Sequence, residues 1–147
     1  MSYHGKYIPK NPSKYRGDPT RIVYRSLWER RIMKYFDQSP NIIEWQSEEV
    51  VVPYKSPKDG RYHRYFPDFV IRKLDKDGRI LTQMIEVKPM KEVVGPTPKA
   101  KTVKPSRRYI TEVVTYAVNC AKWEAAKEFC ANRKWEFVII TERELGL

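Results

Sequence analysis

Three carboxylates and one ammonium in this chain have types and spacing that could do chemistry together. Asp68 follows Pro67 and precedes the apolar run Phe69-Val70-Ile71. Glu86 and Lys88 flank Val87 at the end of a second apolar run, Met84 to Lys88. In a strand, side chains alternate faces, so Glu86 and Lys88 share one face while Ile85 and Val87 take the other. Asp68 and Glu86 fall on the two arms of a predicted hairpin joined across Asp77-Gly78. If Asp68 lies on the Glu86 face, two carboxylates and an ammonium converge. That is an oxygen-ligand site for Mg²⁺ or Mn²⁺ with a positive charge beside it. Such a site activates water and stabilises charge developing on a phosphorus centre. The register that decides convergence is not set by the sequence.

Glu29 is the third acid. On a helix, Met33 lies about 40° from it and Phe36 about 20° on the other side, which puts Glu29 inside an apolar stripe. A carboxylate aimed at a core needs a partner, and a metal is one. The alternative is a capping box, in which Glu29 caps the backbone N–H of Ser26. Both readings stay open at this point. The plain readings of the others are a Glu-x-Lys on an exposed strand end and an Asp in a turn after proline. The apolar residues around Glu86 and directly after Asp68 weigh against them. His63 reads as a surface or phosphate-contact residue rather than a catalytic base.

Several elements must position these residues. Ser26 opens a helix running to Phe36, with Trp28, Ile32 and Phe36 at helical spacing, and Ser39-Pro40-Asn41 ends it. Strands are predicted at 42–46 and 49–54, and a longer one at 62–74 interrupted by Pro67. The strand 79–87 returns from the Asp77-Gly78 turn, so short connections predict an antiparallel meander. Residues 89–106, with Pro89, Pro96, Pro98 and Pro105, read as a flexible basic loop. A long helix is predicted over 107–132, with Tyr109, Val113, Tyr116, Ala117, Cys120 and Ala121 near one face. Residues 137–140 read as a short strand, parallel to a neighbour and buried on both faces. A short final helix is predicted from Thr141. The order is αβββαβ, an α/β layout with helices covering a mixed sheet.

Charge narrows the partner. The 147 residues carry a net +11, yet the excess is local. Residues 1–25 carry net +5 and residues 88–108 net +6, while the remainder balances to zero. Two basic segments on a neutral body point to a polyanion. The cations expected to meet it are Lys6, Lys10, Lys14, Arg16 and Arg25 on the first, and Lys91, Lys99, Lys101, Lys104, Arg107 and Arg108 on the second. The first segment reads as an extended arm without its own core. A hydrophobic content of 41% excludes wholesale disorder. No run approaches the roughly 18 apolar residues of a membrane span, and the first residues lack the apolar stretch of a secretory leader. Two cysteines, Cys120 and Cys130, too far apart on one helix to bridge, suit a reducing compartment. With only two histidines besides, a Cys/His zinc cluster is excluded. No Gly-rich phosphate loop and no Ser-His-Asp or Cys-His arrangement is present, which argues against NTPase and acyl-transfer chemistry. No zinc finger or helix-turn-helix is visible either, so a nucleic acid would be read through its backbone.

Pro67-Asp68 followed by Glu86-Val87-Lys88 resembles the PD-(D/E)XK nuclease superfamily, whose core is αβββαβ. More narrowly, nearly the whole chain resembles the head completion nucleases of T4-like tailed bacteriophages. The matching residues are 13–20, Tyr24-Arg25-Ser26-Leu27-Trp28-Glu29-Arg30-Arg31, His63-Arg64-Tyr65-Phe66-Pro67-Asp68-Phe69 and Ile85-Glu86-Val87-Lys88-Pro89. The same segments are similar to the endonuclease subunit of some cut-and-paste transposases. The resemblance implies a single nuclease-like domain over 26–147, behind the arm at 1–25. It implies Asp68 as principal metal ligand, Glu86 and the Val87 carbonyl as further ligands, and Glu29 at a second ion or reached through water. Lys88 is implied to orient or deprotonate the attacking water. His63 and Arg64 join the basic segments as expected DNA contacts. The implied reaction is Mg²⁺- or Mn²⁺-dependent hydrolysis of double-stranded DNA before head–tail joining. Phage head, portal or neck proteins are the implied partners, in the virion and host cytoplasm, with no membrane and no stated oligomeric state. The competing readings are a non-catalytic DNA-binding head or connector protein with the same fold, and a junction-resolving or transposon-end enzyme.

Overall fold

The computed structural model describes residues 3–147; the first two residues of the predicted arm lie outside that range. In chain order the elements are β1 (Gly5–Lys6), a 3₁₀ turn (Pro12–Lys14), β2 (Val23–Tyr24), α1 (Leu27–Gln38), β3 (Ile42–Ser47), β4 (Val52–Lys55), β5 (Tyr62–Tyr65), β6 (Phe69–Leu74), β7 (Ile80–Val87), α2 (Met90–Val94), α3 (Arg107–Arg133) and β8 (Glu136–Ile140). The main sheet has the order β3-β6-β7-β8. β6 pairs antiparallel with β3 and β7, and β8 runs parallel to β7. The elements α1, β3, β6, β7, α3 and β8 therefore reproduce the αβββαβ order, a mixed sheet flanked by helices.

Local chemistry sets the element ends. The Ser26 hydroxyl accepts from Glu29 N–H at 3.1 Å and starts α1. Ile32, Met33 and Phe36 form its buried stripe, and Ser39 in extended conformation ends it before Pro40. Asp75 closes the β6–β7 turn by accepting from the N–H groups of Asp77 and Arg79, each at 2.8 Å. Ser106 caps α3 through Tyr109 N–H. Strand alternation then divides the core. Phe69, Ile71 and Ile85 pack toward α1, while Val70 and Met84 pack toward α3 with Trp123, Ala126 and Cys130.

Several expectations are corrected. The predicted strands at 49–54 and 62–74 are not continuous members of one meander. β4 and β5 form a separate two-stranded hairpin, and Pro67, fully buried and lacking an N–H, stands where the chain passes from that hairpin into β6. Five residues of the predicted loop at 89–106 form α2, which stops at Gly95. There φ is +84°, and the Tyr116 ring lies 2.7 Å from where a Cβ would sit, so only glycine fits. The residues buried on α3 are Asn119, Trp123, Ala126 and Cys130, in its C-terminal half. The predicted face at Val113 is 40% exposed, because the first half of the helix extends beyond the sheet. β8 is an edge strand with half-buried side chains rather than a fully buried one. Thr141 to Glu144 make turns, not a helix, since Gly146 at φ +72° reverses the chain after a single turn.

The largest correction concerns the N-terminal arm. It is not an extended segment lying off the body. Tyr7, Tyr15 and Ile22 are buried in the core between the sheet and α1, and Tyr15 meets Trp45 edge-on with ring centroids 4.6 Å apart. Asp37, fully buried near the end of α1, fastens it. Its carboxylate accepts from Tyr7 Oη at 2.7 Å, Lys10 N–H at 2.7 Å and Asn11 N–H at 2.9 Å. Burial pushes the Asp37 pKa up, but these hydrogen bonds outweigh it and hold the carboxyl below its ordinary range. Cys120 and Cys130 are unbridged. Among the described residues no helix is long and apolar enough to cross a membrane.

Candidate active site

The β6–β7 register pairs Phe69 with Ile85, and one further step sets Asp68 opposite Glu86. Cross-strand neighbours share a face, so the two carboxyls converge. Asp68 is held in place by its own hydrogen bonds. Its Oδ2 accepts from Val87 N–H at 2.7 Å, and its carbonyl accepts from Glu48 N–H at 3.1 Å. Glu48 has a positive φ of 53° and pairs with Arg25, so the turn after β3 grips the strand that carries Asp68. Lys88 continues the line of β7, its N–H donating to Ile140 of β8 at 2.9 Å.

α1 supplies the opposite wall. Glu29, Asp68, Val87 and Lys88 line one open cleft of about 480 Å³, with Trp28 and Pro89 beside them. Glu86 sits behind Asp68 and is 6% exposed. Burial raises the pKa of Asp68 first, with the Glu29 charge adding to it, against the bond from Val87 N–H. Burial likewise raises Glu86, and the facing Asp68 charge pushes it further, to about 8, against the Lys88 ammonium. Glu29 is raised by burial, while Arg25 opposes the rise. Two carboxyls pressed together in low dielectric hold a proton that a cation can replace.

Among the described residues no three His, Cys, Asp or Glu side chains stand close enough together to hold a metal ion. Glu29 lines the same cleft without closing a three-carboxylate cage with Asp68 and Glu86. The two carboxylates that could hold a cation are Asp68, in the open cleft, and Glu86, buried behind it. That suits Mg²⁺, which keeps several waters and binds through one or two carboxylates plus phosphate oxygens. The capping reading of Glu29 is met in part. Ser26 accepts from Glu29 N–H, and the Glu29 carboxyl reaches back to the Arg25 N–H and the Ser26 side chain at the edge of the cleft that Glu29 lines.

The predicted DNA contacts divide. Lys14 is turned inward, its Nζ donating to the carbonyls of Asp37 and Ser39 at 3.1 and 2.7 Å, which leaves it less free to meet a phosphate. Arg16 pairs with Glu44 at 3.5 Å and Arg25 with Glu48, both while partly exposed. His63 bonds Asp59, in the turn between β4 and β5, at 2.8 Å. Arg64 lies over the Phe66 ring, and Arg108 pairs with Glu112 at 3.3 Å. Lys99 lies 4.8 Å from the Tyr109 ring centroid, so the basic loop rests on α3 at that point. Lys6, Lys10, Lys91, Lys101, Lys104 and Arg107 are exposed. Sequence reasoning missed Glu48, whose role is a backbone bond, and Tyr65, a buried tyrosine against Glu86. The position of Tyr65, three residues before Asp68, was the one signal available.

Residues 39–142 match the family described as the TnsA-like endonuclease N terminal. The chain is 42% identical over 150 residues to the head completion nuclease of Enterobacteria phage T4, covering 99% of this chain and 97% of that protein. No solved structure matches.

Proposed function

This chain belongs to the TnsA-like endonuclease N-terminal family, and from that premise we propose that it is a divalent-cation-dependent DNA nuclease serving phage head completion. The observation that carries the reading is the register-enforced pair of Asp68 and Glu86 at the cleft. Its relative in phage T4 is named for head completion, and the high coverage of both chains supports the same role here. The fold is the PD-(D/E)XK core.

Asp68 and Glu86 would hold Mg²⁺ or Mn²⁺, with the Val87 carbonyl available beside them. Bound there, the ion supplies Lewis-acid activation of water and neutralises charge on the phosphate. The chain's own residues do the rest. The bond from Val87 N–H leaves Asp68 with one oxygen free to turn outward. Lys88, on the Glu86 face, sets an ammonium where the attacking water and the phosphate oxygens meet, orienting the one and offsetting the other. Glu29, across the cleft, accepts a hydrogen bond from water or reaches an ion through it. The exposed cations of 91–108, with Lys6 and Lys10, bind the duplex backbone. Residues 26–147 are the nuclease domain in this reading, with the basic segments as its DNA grip.

The test is a nuclease assay on linear and supercoiled duplex DNA, comparing the native chain with Asp68→Asn in Mg²⁺, Mn²⁺ or EDTA. Cleavage that disappears with the substitution and with EDTA is the expected result. DNA binding without cleavage under every condition overturns it in favour of a connector role.

A further inference from the structure

Glu86 has a neighbour that the reaction as described leaves unused. Tyr65 ends β5, is 4% exposed and belongs to the core between the sheet and α3. It pairs with Val52 of β4, and the ammonium of Lys122 on α3 lies 5.7 Å from its ring centroid. The ring is thus fixed from two elements. Its hydroxyl is fully buried and has no well-formed hydrogen bond, the Glu86 carboxyl offering only a poorly aligned one. Yet it lies against the Glu86 carboxyl, and burial and the Glu86 charge both push its pKa above the ordinary tyrosine range. A buried hydroxyl without a partner is rare, because it has given up water for nothing. The acceptor placed to satisfy it is the Glu86 carboxyl.

Building on the metal-nuclease reading above, we infer that Tyr65 is a positioning residue. Its hydroxyl donates to one Glu86 oxygen and thereby aims the other at the divalent cation. A carboxylate that binds a metal through one oxygen needs a donor on the other, and such outer partners typically change metal affinity by about 10- to 100-fold. The two-carboxylate site makes this support more consequential, since Glu86 has no third acid beside it to share the ion.

The experiment uses the full chain and measures Mn²⁺ binding by the loss of the free-ion electron paramagnetic resonance signal. The proteins are the native chain, Tyr65→Phe and Glu86→Gln. Thermal melting in EDTA is measured alongside. The expected result is Mn²⁺ binding weakened about tenfold or more in Tyr65→Phe, with its metal-free melting temperature unchanged or raised. Cleavage by that variant should recover at saturating Mn²⁺. Equal Mn²⁺ affinity in Tyr65→Phe and the native chain, with Glu86→Gln impaired, overturns the role of Tyr65 and leaves the metal site standing. Absence of Mn²⁺ binding by the native chain overturns both. A Tyr65→Phe protein that fails to fold also overturns it, since a hydroxyl unpaired in the metal-free fold is then what the fold depends on.

Discussion

Glu86, buried and facing Asp68, binds a proton more tightly in the folded chain than in the unfolded one, and this makes its protonation a stability term. The sign follows from linkage. A folded-state pKa raised from 4.5 to about 8 means the folded chain holds the extra proton across that window. The contribution to stability is complete below the lower value and lost as pH rises through the upper one. In EDTA the melting temperature is therefore expected to fall between pH 5 and pH 9, each a value of about that size, and Glu86→Gln should flatten the fall. A melting temperature that rises over that range contradicts the buried carboxyl pair. The same proton competes with the cation. Half-saturation by Mn²⁺ should need more metal as pH is lowered through about 8, the value at which Glu86 gains its proton. Lys88→Met tests the remaining charge at this scale. It should keep Mn²⁺ binding and lose about a hundredfold or more in cleavage rate, because the ammonium acts on the water and phosphate rather than on the fold.

The elements work by fixing where each carboxyl can be. β7 carries Glu86 and Lys88 on one face because strand geometry alternates side chains, and β6 brings Asp68 because the Asp75–Gly78 turn fixes the register. α1 brings Glu29, and its cap residue sets where that helix starts. Ser26→Ala is expected to cost about 1 kcal/mol in denaturant unfolding and to loosen the first turn that presents Glu29. The other end of α1 holds the N-terminal segment. Asp37→Ala leaves the Tyr7 hydroxyl and the Lys10 and Asn11 N–H groups unpaired. It is expected to cost about 3 kcal/mol or more, with proteolysis starting within residues 5–24. A variant as stable as the native chain shows instead that the segment is held by its tyrosines alone.

Across the whole molecule, the charge is carried outside the packed body. The loop at 89–106 and the exposed lysines near the N-terminus add positive charge without burying it, while the sheet and its helices are near neutral. DNA affinity should therefore fall steeply with salt, by about a hundredfold or more between 50 and 200 mM, if about four phosphates are engaged. The triple change Lys99→Ala, Lys101→Ala, Lys104→Ala should reduce the slope of log affinity against log salt by about 2 to 3 without altering sequence preference. A slope unaffected by the three changes moves the DNA path off that loop.

Much of this was legible in the order of residues, for reasons that are local. Ser26 with Glu29, the apolar spacing of α1, the Asp77-Gly78 turn and the alternation around Glu86 are each decided by neighbours in sequence, so the αβββαβ order and the identity of the acids could be read directly. What the sequence left open depended on long-range packing. Whether Asp68 faces Glu86 is a matter of register between strands. Pro67 reads as an edge or a bulge within one long strand, and only the pairing of β4 with β5 shows the chain passing there between two sheets. The tyrosines of the first 25 residues look like those of a loose arm, because nothing nearby shows that Trp45 and Asp37 receive them. Glu29 reads as cap or site, and the fold lets it serve the start of α1 while lining the cleft. The chemistry of the site was therefore written in residue types, and its geometry was decided by contacts between residues far apart in the chain.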